Sequence, residues 1–300
     1  MEKISTIKPW ENKYVKQAVG VAAGYGVYKY GGRVLTKPYL GYFNKSLASL
    51  TPQDNAAYLS IKNTVLNKYR NTLHVNIVNI DAAKSKEILE EYLPRANDKI
   101  SKTKNPLKKY VLKTRKKRYV NRINSFAEGK NACYKPLTKE VYVNYEKNAF
   151  AIFHELGHAL DRQNIKIFNN ISKWRQSNKI AMRVLFILAL LSKQKAKKAF
   201  DSDKNFGVKE KINEGLSNID KYFFPISMIM YAPILFDEAS ASINANKMVK
   251  GILPENLHKK MNVLNAKAFG TYVVGALAVA TTMKLGLILK NKIINAKSQK

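Results

Sequence analysis

The spacing of apolar and polar residues predicts a chain that is mostly helical, with two short strands. Apolar residues partly alternate with polar ones over 73–80 (LHVNIVNI) and over 140–145 (EVYVNY), which is typical of half-buried strands. Elsewhere the apolar residues recur at helical spacing, and beyond Asn164 the pattern is almost wholly helical. The pattern therefore predicts an α+β fold that is predominantly helical and has a small sheet.

Two places along the chain indicate where a helix begins or ends. Asp81 is a good N-cap for a helix that runs towards Leu93, and Pro94 is expected to end that helix. Residues 150–160, directly after the second strand, are apolar on nearly every side of a helix. The sequence thus predicts a strand that is followed at once by a buried helix.

Four stretches of the chain are almost free of charge: 17–28, 184–192, 222–236 and 268–289. The first three are shorter than the ~20 residues that a membrane-spanning helix needs. We expect the first to lie on the protein body or at an interface, and the next two to form buried helices or re-entrant segments. Residues 268–289 are long enough and contain one charge, Lys284, so they are predicted to form a transmembrane helix. Lysines flank this segment about equally, which leaves its orientation open.

The net charge of the chain is strongly positive. Fifty-three Lys and Arg against 21 Asp and Glu give +32, which predicts attraction to phospholipid headgroups or nucleic-acid phosphates. Residues 99–122 contain eleven Lys or Arg and no acid, typical of a solvated helix face, an anionic-lipid contact or a nucleic-acid contact. The single cysteine, Cys133, excludes an intrachain disulfide, and a 46% apolar composition excludes wholesale disorder.

The strongest chemical signal is the pentapeptide His154-Glu155-Leu156-Gly157-His158. Two histidines four positions apart lie on one face of a helix, so both imidazoles can reach one metal ion. Zinc suits this pair, and a catalytic site then needs one more protein ligand and leaves a position for water. Glu155 can take a proton from that water without binding the metal, as a general base. The motif therefore predicts one Zn²⁺ per chain in a hydrolytic site.

The third zinc ligand must come from another part of the chain, and the candidates are His74, Asp161, Glu238 and His258. His74 and His258 are isolated histidines in polar or basic surroundings, for which a surface position is the simpler expectation. Asp161 lies close to the helical face of His158, so we expect it to orient a ligand rather than to bind the metal.

Glu238 is the favoured third ligand. It begins a segment of small residues, 239–242, that would let its helix approach the metal-binding helix closely. The neighbouring Asp237 fits a first-turn or N-cap acid at least as well as Glu238 does. The sequence therefore predicts a metal site made by His154, His158 and Glu238.

Two segments resemble a known group of enzymes. Phe153–Asp161 (FHELGHALD) resembles the active-site helix of gluzincin-type zinc metallopeptidases. Glu238–Ser242 (EASAS) is similar to the downstream E-x-x-A-D/S element of the CAAX-prenyl-protease and HtpX-like membrane peptidases. The resemblance, which covers roughly residues 133–246, implies zinc ligands at the two motif histidines and at Glu238, with Glu155 as the general base.

The resemblance also implies roles for residues around the metal. Ser242 stands where many members have an Asp that supports a histidine ligand, so Ser242 and Asp161 are candidates to orient the ligands. The fold expected from the resemblance is a zincin-like core, with a small sheet next to the metal-binding helix and a hydrophobic C-terminal helix.

The strand at 140–145 suits the edge strand of a zincin, which pairs with an extended peptide substrate. Tyr142 and Asn144 are therefore candidate substrate-strand residues. Either of them, or Tyr231, can stabilise the oxyanion of the reaction, and the sequence does not choose between them.

We expect three parts in the chain: a membrane-proximal segment (1–50), a metallopeptidase domain (51–265, core 128–250), and a hydrophobic helix with a basic tail (266–300). The expected function is that of a membrane-associated zinc metalloendopeptidase, with peptide or protein substrates, anionic lipid as a partner and a catalytic domain on the cytoplasmic side. The alternative is a basic membrane- or nucleic-acid-binding protein with a structural or vestigial zinc site. A structural site has no need of an acid beside its first histidine, which favours the enzyme.

Overall fold

The computed structural model describes residues 13–191 and 208–296 of the chain. Contacts divide the chain into a helical unit (Met1–Leu40, Ile171–Leu235 and Gly270–Lys300) and a mixed unit (Gly41–Asn170 and Phe236–Phe269). Among the described residues, 171–191 and 208–235 therefore group with 13–40 and 270–296. Residues 1–12, and 297–300 of the expected basic tail, lie outside the described residues.

The described residues are predominantly helical and include one three-stranded sheet, which confirms the predicted mainly helical α+β class. The strands are β1 (Asn76–Asn79), β2 (Cys133–Lys135) and β3 (Glu140–Val143). The helices are α1 (Lys13–Ala48), α2 (Pro52–Ser60), α3 (Lys62–Lys68), α4 (Ala82–Ser101), α5 (Pro106–Ala127), α6 (Tyr145–Asn148), α7 (Ala151–Asn164), α8 (Lys166–Leu191), α9 (Val208–Val249) and α10 (Glu255–Asn295).

The sheet of the mixed unit has the strand order β1-β3-β2. β3 pairs in parallel with β1, with Asn76 opposite Glu140 at one end and Asn79 opposite Val143 at the other. It pairs antiparallel with β2. β3 is therefore the central strand, and the prediction that 140–145 forms an edge strand is wrong. Strands of three or four residues show too little alternation to reveal which of them lies at the edge.

The two faces of this sheet are covered by different helices. Val141 and Val143 point into the main core, which includes Phe153 and Leu156 of α7. Tyr142 packs against a smaller cluster on the opposite face, which includes Ile80 and, from α5, Ile123 and Phe126. This alternation is that of a strand with both faces covered, and it places α7 directly against the sheet.

The limits of α4 agree with the sequence at one end only. The Asp81 side chain accepts a hydrogen bond from the Lys84 amide at 2.7 Å, as the predicted N-cap should. Pro94, however, lies inside α4 and does not end it. The helix continues because it packs along α5, where the rings of Tyr92 and Tyr119 lie 4.0 Å apart between centroids. Packing of this kind compensates for the hydrogen bond that proline removes.

The helical unit is built from parts of α1, α8, α9 and α10. Its buried cluster includes Met182, Phe186 and Phe223, with Leu287 from α10. Gly24 and Gly286 let the backbones of α1 and α10 touch, since a Cβ on Gly24 would lie 2.6 Å from the Gly286 carbonyl oxygen.

Two described helices are long and apolar enough to cross a membrane: Asn218–Val249 (32 residues) and Glu255–Asn295 (41 residues). The second contains the predicted hydrophobic segment 268–289. The first differs from expectation, because residues 222–236, expected to form a short buried helix or a re-entrant segment, lie inside the long helix α9, which continues through Pro225 and Pro233. Residues 17–28 and 184–191 likewise lie within the longer helices α1 and α8.

Candidate metal centre

The HELGH segment lies in α7, a helix that is buried on most of its surface. Ten of its 14 residues are buried, among them Ile152, Phe153 and Leu156 in the main core. His154 and His158 are also buried, at 8% and 4% exposure. Polar side chains in such a position need hydrogen-bond partners or a metal, because burial without either is costly.

α9 approaches α7 closely at Gly157, the residue before the second histidine. A Cβ on Gly157 would overlap the carbonyl oxygen of Ala241, so the two helices are in backbone contact there. Ala241 belongs to the small-residue segment that the sequence singled out. The missing side chain at Gly157 thus brings Glu238, one turn earlier on α9, next to the histidines.

Adding a methyl group at this contact should disturb the centre. We expect Gly157→Ala to lower the free energy of unfolding by about 1–3 kcal/mol, because the helices must separate to accommodate it. Chemical denaturation of the full chain measures this loss. Gly41→Ala is the matched control, since a Cβ at that helical position meets nothing within 4 Å, and should change stability by no more than about 1 kcal/mol. Equal stability of both variants would contradict the proposed backbone contact.

Three side chains converge on one point between α7 and α9. Nε2 of His154 lies 3.2 Å from Oε2 of Glu238, and Nε2 of His158 lies 3.5 Å from the same oxygen. Ligand atoms from all three lie within 4.8 Å of one another, and they form the only such group of His, Cys, Asp or Glu found in residues 13–191 and 208–296. The structure therefore brings together the three residues that the sequence nominated as ligands.

The other nitrogen of each histidine faces a polar side chain on α9. Nδ1 of His154 lies 3.3 Å from Oγ of Ser242, and Nδ1 of His158 lies 3.4 Å from Oδ1 of Asp237. Arg162 in turn donates to Oδ2 of Asp237 at 3.3 Å. Each ring directs Nε2 towards Glu238 and turns Nδ1 towards a polar side chain of α9, which is the orientation that a histidine–metal site requires.

The centre collects negative charge in a chain that is otherwise strongly positive. Five acidic side chains are buried among the described residues, and four of them lie here: Glu155, Asp161, Asp237 and Glu238. Asp237 and Glu238 have no exposed surface. Burial lowers the pKa of His158, but its contacts with these two carboxylates outweigh burial and raise that pKa to about 10. The surroundings of His158 therefore favour a positive charge, which a divalent cation also supplies.

Glu155 follows His154 on α7, and its negative charge contributes to the raised pKa of His158. Its carboxylate is held by the sheet. Its Oε2 accepts a hydrogen bond from the backbone amide of Tyr134 in β2 at 2.6 Å. Burial and the charge of Glu155 raise the pKa of Cys133 to about 12, so this thiol stays neutral and is a poor competitor for a metal.

Other candidate residues have structural partners. Asp161 accepts a hydrogen bond from Asn244 at 2.7 Å and so links α7 to α9. Asn144 caps α6, accepting from two backbone amides and donating to the Ala127 carbonyl. Tyr142 donates to Glu140 and lies beneath the Lys135 ammonium.

The substrate-strand assignment of Tyr142 and Asn144 therefore loses its basis, since it depended on β3 being an edge strand. The two remaining histidines also lie outside the centre. His74 is exposed, and His258 Nε2 faces the Asn246 carbonyl oxygen at 3.3 Å. Tyr231 belongs to the helical unit.

Asp237 and Arg162 are the residues whose role at the centre the sequence did not indicate. Asp237 reads as an N-cap acid because an apolar run precedes it, but α9 is continuous there and offers no helix start to cap. The available signal was its position next to Glu238: adjacent residues on a helix point about 100° apart, so both can face the same pair of histidines from different sides.

The donor set fits zinc. The Glu238 oxygen lies 3.2 and 3.5 Å from the two histidine nitrogens, and all three ligand atoms lie within 4.8 Å of one another. Two imidazoles and a carboxylate are donors that zinc accepts. Three protein ligands of this kind are the number typical of catalytic zinc sites, whereas structural zinc sites have four.

Comparison of the chain with protein-family profiles, with curated proteins and with solved structures gave no match. The assignment of the centre therefore depends on the geometry of this chain.

Proposed function

We propose that this protein is a zinc-dependent metallopeptidase. The observation that carries the proposal is the convergence of His154, His158 and Glu238 on one point. Glu155, which follows His154 on α7, is close enough for its charge to raise the pKa of His158. In this proposal the core of the mixed unit is zincin-like, as the sequence resemblance implies. The same arrangement disfavours a purely structural zinc, which would be enclosed by four protein ligands.

The protein side chains would divide the work of hydrolysis. When bound, zinc would supply a Lewis acid that polarises the scissile carbonyl and acidifies the attacking water. Glu155 would take the proton of this water at Oε1 and deliver it to the nitrogen of the leaving amine. The Tyr134 amide holds the opposite carboxylate oxygen, so the base is positioned before the substrate arrives.

The edge strand β2 is the better place for an extended substrate. β3 has neighbours on both sides, whereas β2 has β3 as its single neighbour among the described strands. Tyr134 of β2 also binds Glu155 directly, which joins this edge to the general base. We therefore propose that a peptide adds to β2 rather than to the strand that the sequence favoured.

We also propose that the protein is associated with a membrane. Besides the two long apolar helices, the helical unit exposes apolar side chains on each of the helices described in it. Examples are Val34 on α1 (70% exposed), Val184 on α8 (49%), Ile229 on α9 (72%) and Leu285 on α10 (48%). Apolar side chains exposed on all these helices are typical of contact with lipid rather than water. We place the mixed unit on the cytoplasmic side, where basic segments are retained.

The test combines metal content with activity on the full chain purified in a neutral detergent. We expect about one zinc per chain and hydrolysis of an unstructured protein substrate such as casein. A zinc chelator should stop the hydrolysis, and added zinc should restore it. Protein that retains zinc but cleaves neither casein nor a random peptide library would reject the peptidase and support a structural site. If the purified protein contains no zinc and added zinc does not change its stability, the proposed metal centre itself would be rejected.

A further inference from the structure

α5 is a strongly basic helix with no acid of its own. Its 22 residues contain eight Lys or Arg, six of which are exposed. Like charges this close repel each other, so the helix is a source of instability unless an anion neutralises it.

No described acid does so. The acidic residues of α4, the helix that packs along α5, are engaged within or next to α4: Lys84 pairs with Glu87, Lys86 with Glu90, Arg95 with Glu91 and Lys102 with Asp98. Among residues 13–191 and 208–296, no acidic oxygen lies within 4 Å of a basic nitrogen of α5. The positive surface of α5 is therefore available to an external polyanion.

Apolar side chains are exposed at the end of α5 that adjoins the α4–α5 turn. Leu107 is 77% exposed, Tyr110 is 71% exposed and Val111 is 45% exposed. Their spacing of three and four residues places them on one helical face. Lys108 and Lys109 lie between them in sequence, so apolar and basic groups share the same end of the hairpin.

We propose that this end of the α4–α5 hairpin binds the surface of an anionic lipid bilayer. The basic side chains would meet the phosphates, and the Leu107, Tyr110 and Val111 side chains would enter the region between headgroups and acyl chains. Nucleic acid would neutralise the same charges, but it offers no apolar medium for these three side chains. The mixture of charged and apolar groups therefore favours lipid.

The experiment uses the full chain carrying Cys133→Ser and Tyr110→Cys, labelled at position 110 with an environment-sensitive fluorophore. The labelled chain is reconstituted into phosphatidylcholine vesicles with or without about 30% phosphatidylglycerol, an anionic lipid that attracts each Lys or Arg near the membrane surface. We expect a blue-shifted, brighter emission only with phosphatidylglycerol, and its reversal by high salt. This signal requires neither zinc nor activity, so its failure is distinguishable from failure of the peptidase proposal.

Two matched variants with the same net charge separate a specific surface from general attraction. The first variant carries Gln at Lys108, Lys109 and Lys113 together. It should lower the ratio of membrane-docked to undocked label about a hundredfold. Lys84, Lys86 and Arg95→Gln removes three bases that already have acidic partners and should leave the signal nearly unchanged; circular dichroism checks that both variants fold.

Equal loss in the two variants, or a signal that does not depend on phosphatidylglycerol, would overturn the proposal. A second outcome would also overturn it: the vesicles leave the label unchanged, the detergent-solubilised chain binds a duplex oligonucleotide tightly, and the α5 variant alone loses that binding.

Discussion

Replacing Glu155 with Gln should abolish peptide hydrolysis while zinc remains bound. Glu155 is not one of the three converging ligands, so the metal site keeps its donors. The glutamine carbonyl can still accept the Tyr134 amide hydrogen bond, so the side chain should stay in place. The glutamine amide cannot take the proton of the attacking water as the Glu155 carboxylate would, and the loss of this base should lower kcat by about a thousandfold or more.

The measurement pairs zinc analysis with the rate of casein or peptide cleavage. Glu128→Gln is a suitable control, because Glu128 is a surface carboxylate whose partner is Lys130; its removal should leave both zinc content and rate unchanged. Full activity of the Glu155 variant would remove this residue from the mechanism. Loss of zinc together with activity would instead place Glu155 among the ligands.

The part of the centre that could be predicted from sequence is the part that depends on local geometry. The two histidines share a helical face because they are four residues apart, and no tertiary information is needed to know it. Glu238 lies 80 residues further on, and it could be nominated because the small residues after it predict a close helix contact. Gly157 and Ala241 are that contact.

The residues that the sequence did not explain depend on where elements end and what lies beside them. Pro94, Pro225 and Pro233 all lie inside helices that their local effect should interrupt. Once α9 is continuous, Asp237 is no longer at a helix start and faces His158 instead. Strand order is equally non-local: whether β3 is central depends on β1, which lies some 60 residues earlier in the chain.

The buried charge of the helical unit follows a different pattern from that of the metal centre. Asp220 is buried near Lys290, whose ammonium lies 3.9 Å from its Oδ2 and donates to the Ala189 carbonyl at 2.9 Å. Asn291 also donates to Asp220, at 2.7 Å. Basic and amide groups therefore surround this carboxylate. It resembles the internally satisfied polar groups found among helices that face lipid.

Replacing Glu238 with Gln should remove the metal and its stabilising effect. The carboxylate is the only acidic ligand in the centre, and an amide of the same shape has no charge to offer a cation. We expect zinc affinity to fall on the order of a thousandfold, comparable to the loss of one partner from a buried charge pair. Zinc should then no longer raise the Tm of the full chain, whereas it should raise that of the wild type, because a ligand that binds only the folded state stabilises it.

Two further variants show whether this effect belongs to a ligand or to buried charge in general. Asp237→Asn keeps all three ligands but weakens the hold on His158 Nδ1, so zinc affinity should fall by about 10–100-fold, an intermediate loss. Asp220→Asn removes the one buried acid outside the centre among the described residues, and it should lower stability without changing zinc affinity. Competition with a chromogenic zinc chelator measures all three affinities. We expect the zinc affinity to be lowest for Glu238→Gln, intermediate for Asp237→Asn and unchanged for Asp220→Asn. This order would identify Glu238 as a ligand and Asp237 as the residue that positions His158. Equal affinities in all three would mean that the convergence of His154, His158 and Glu238 does not hold a metal.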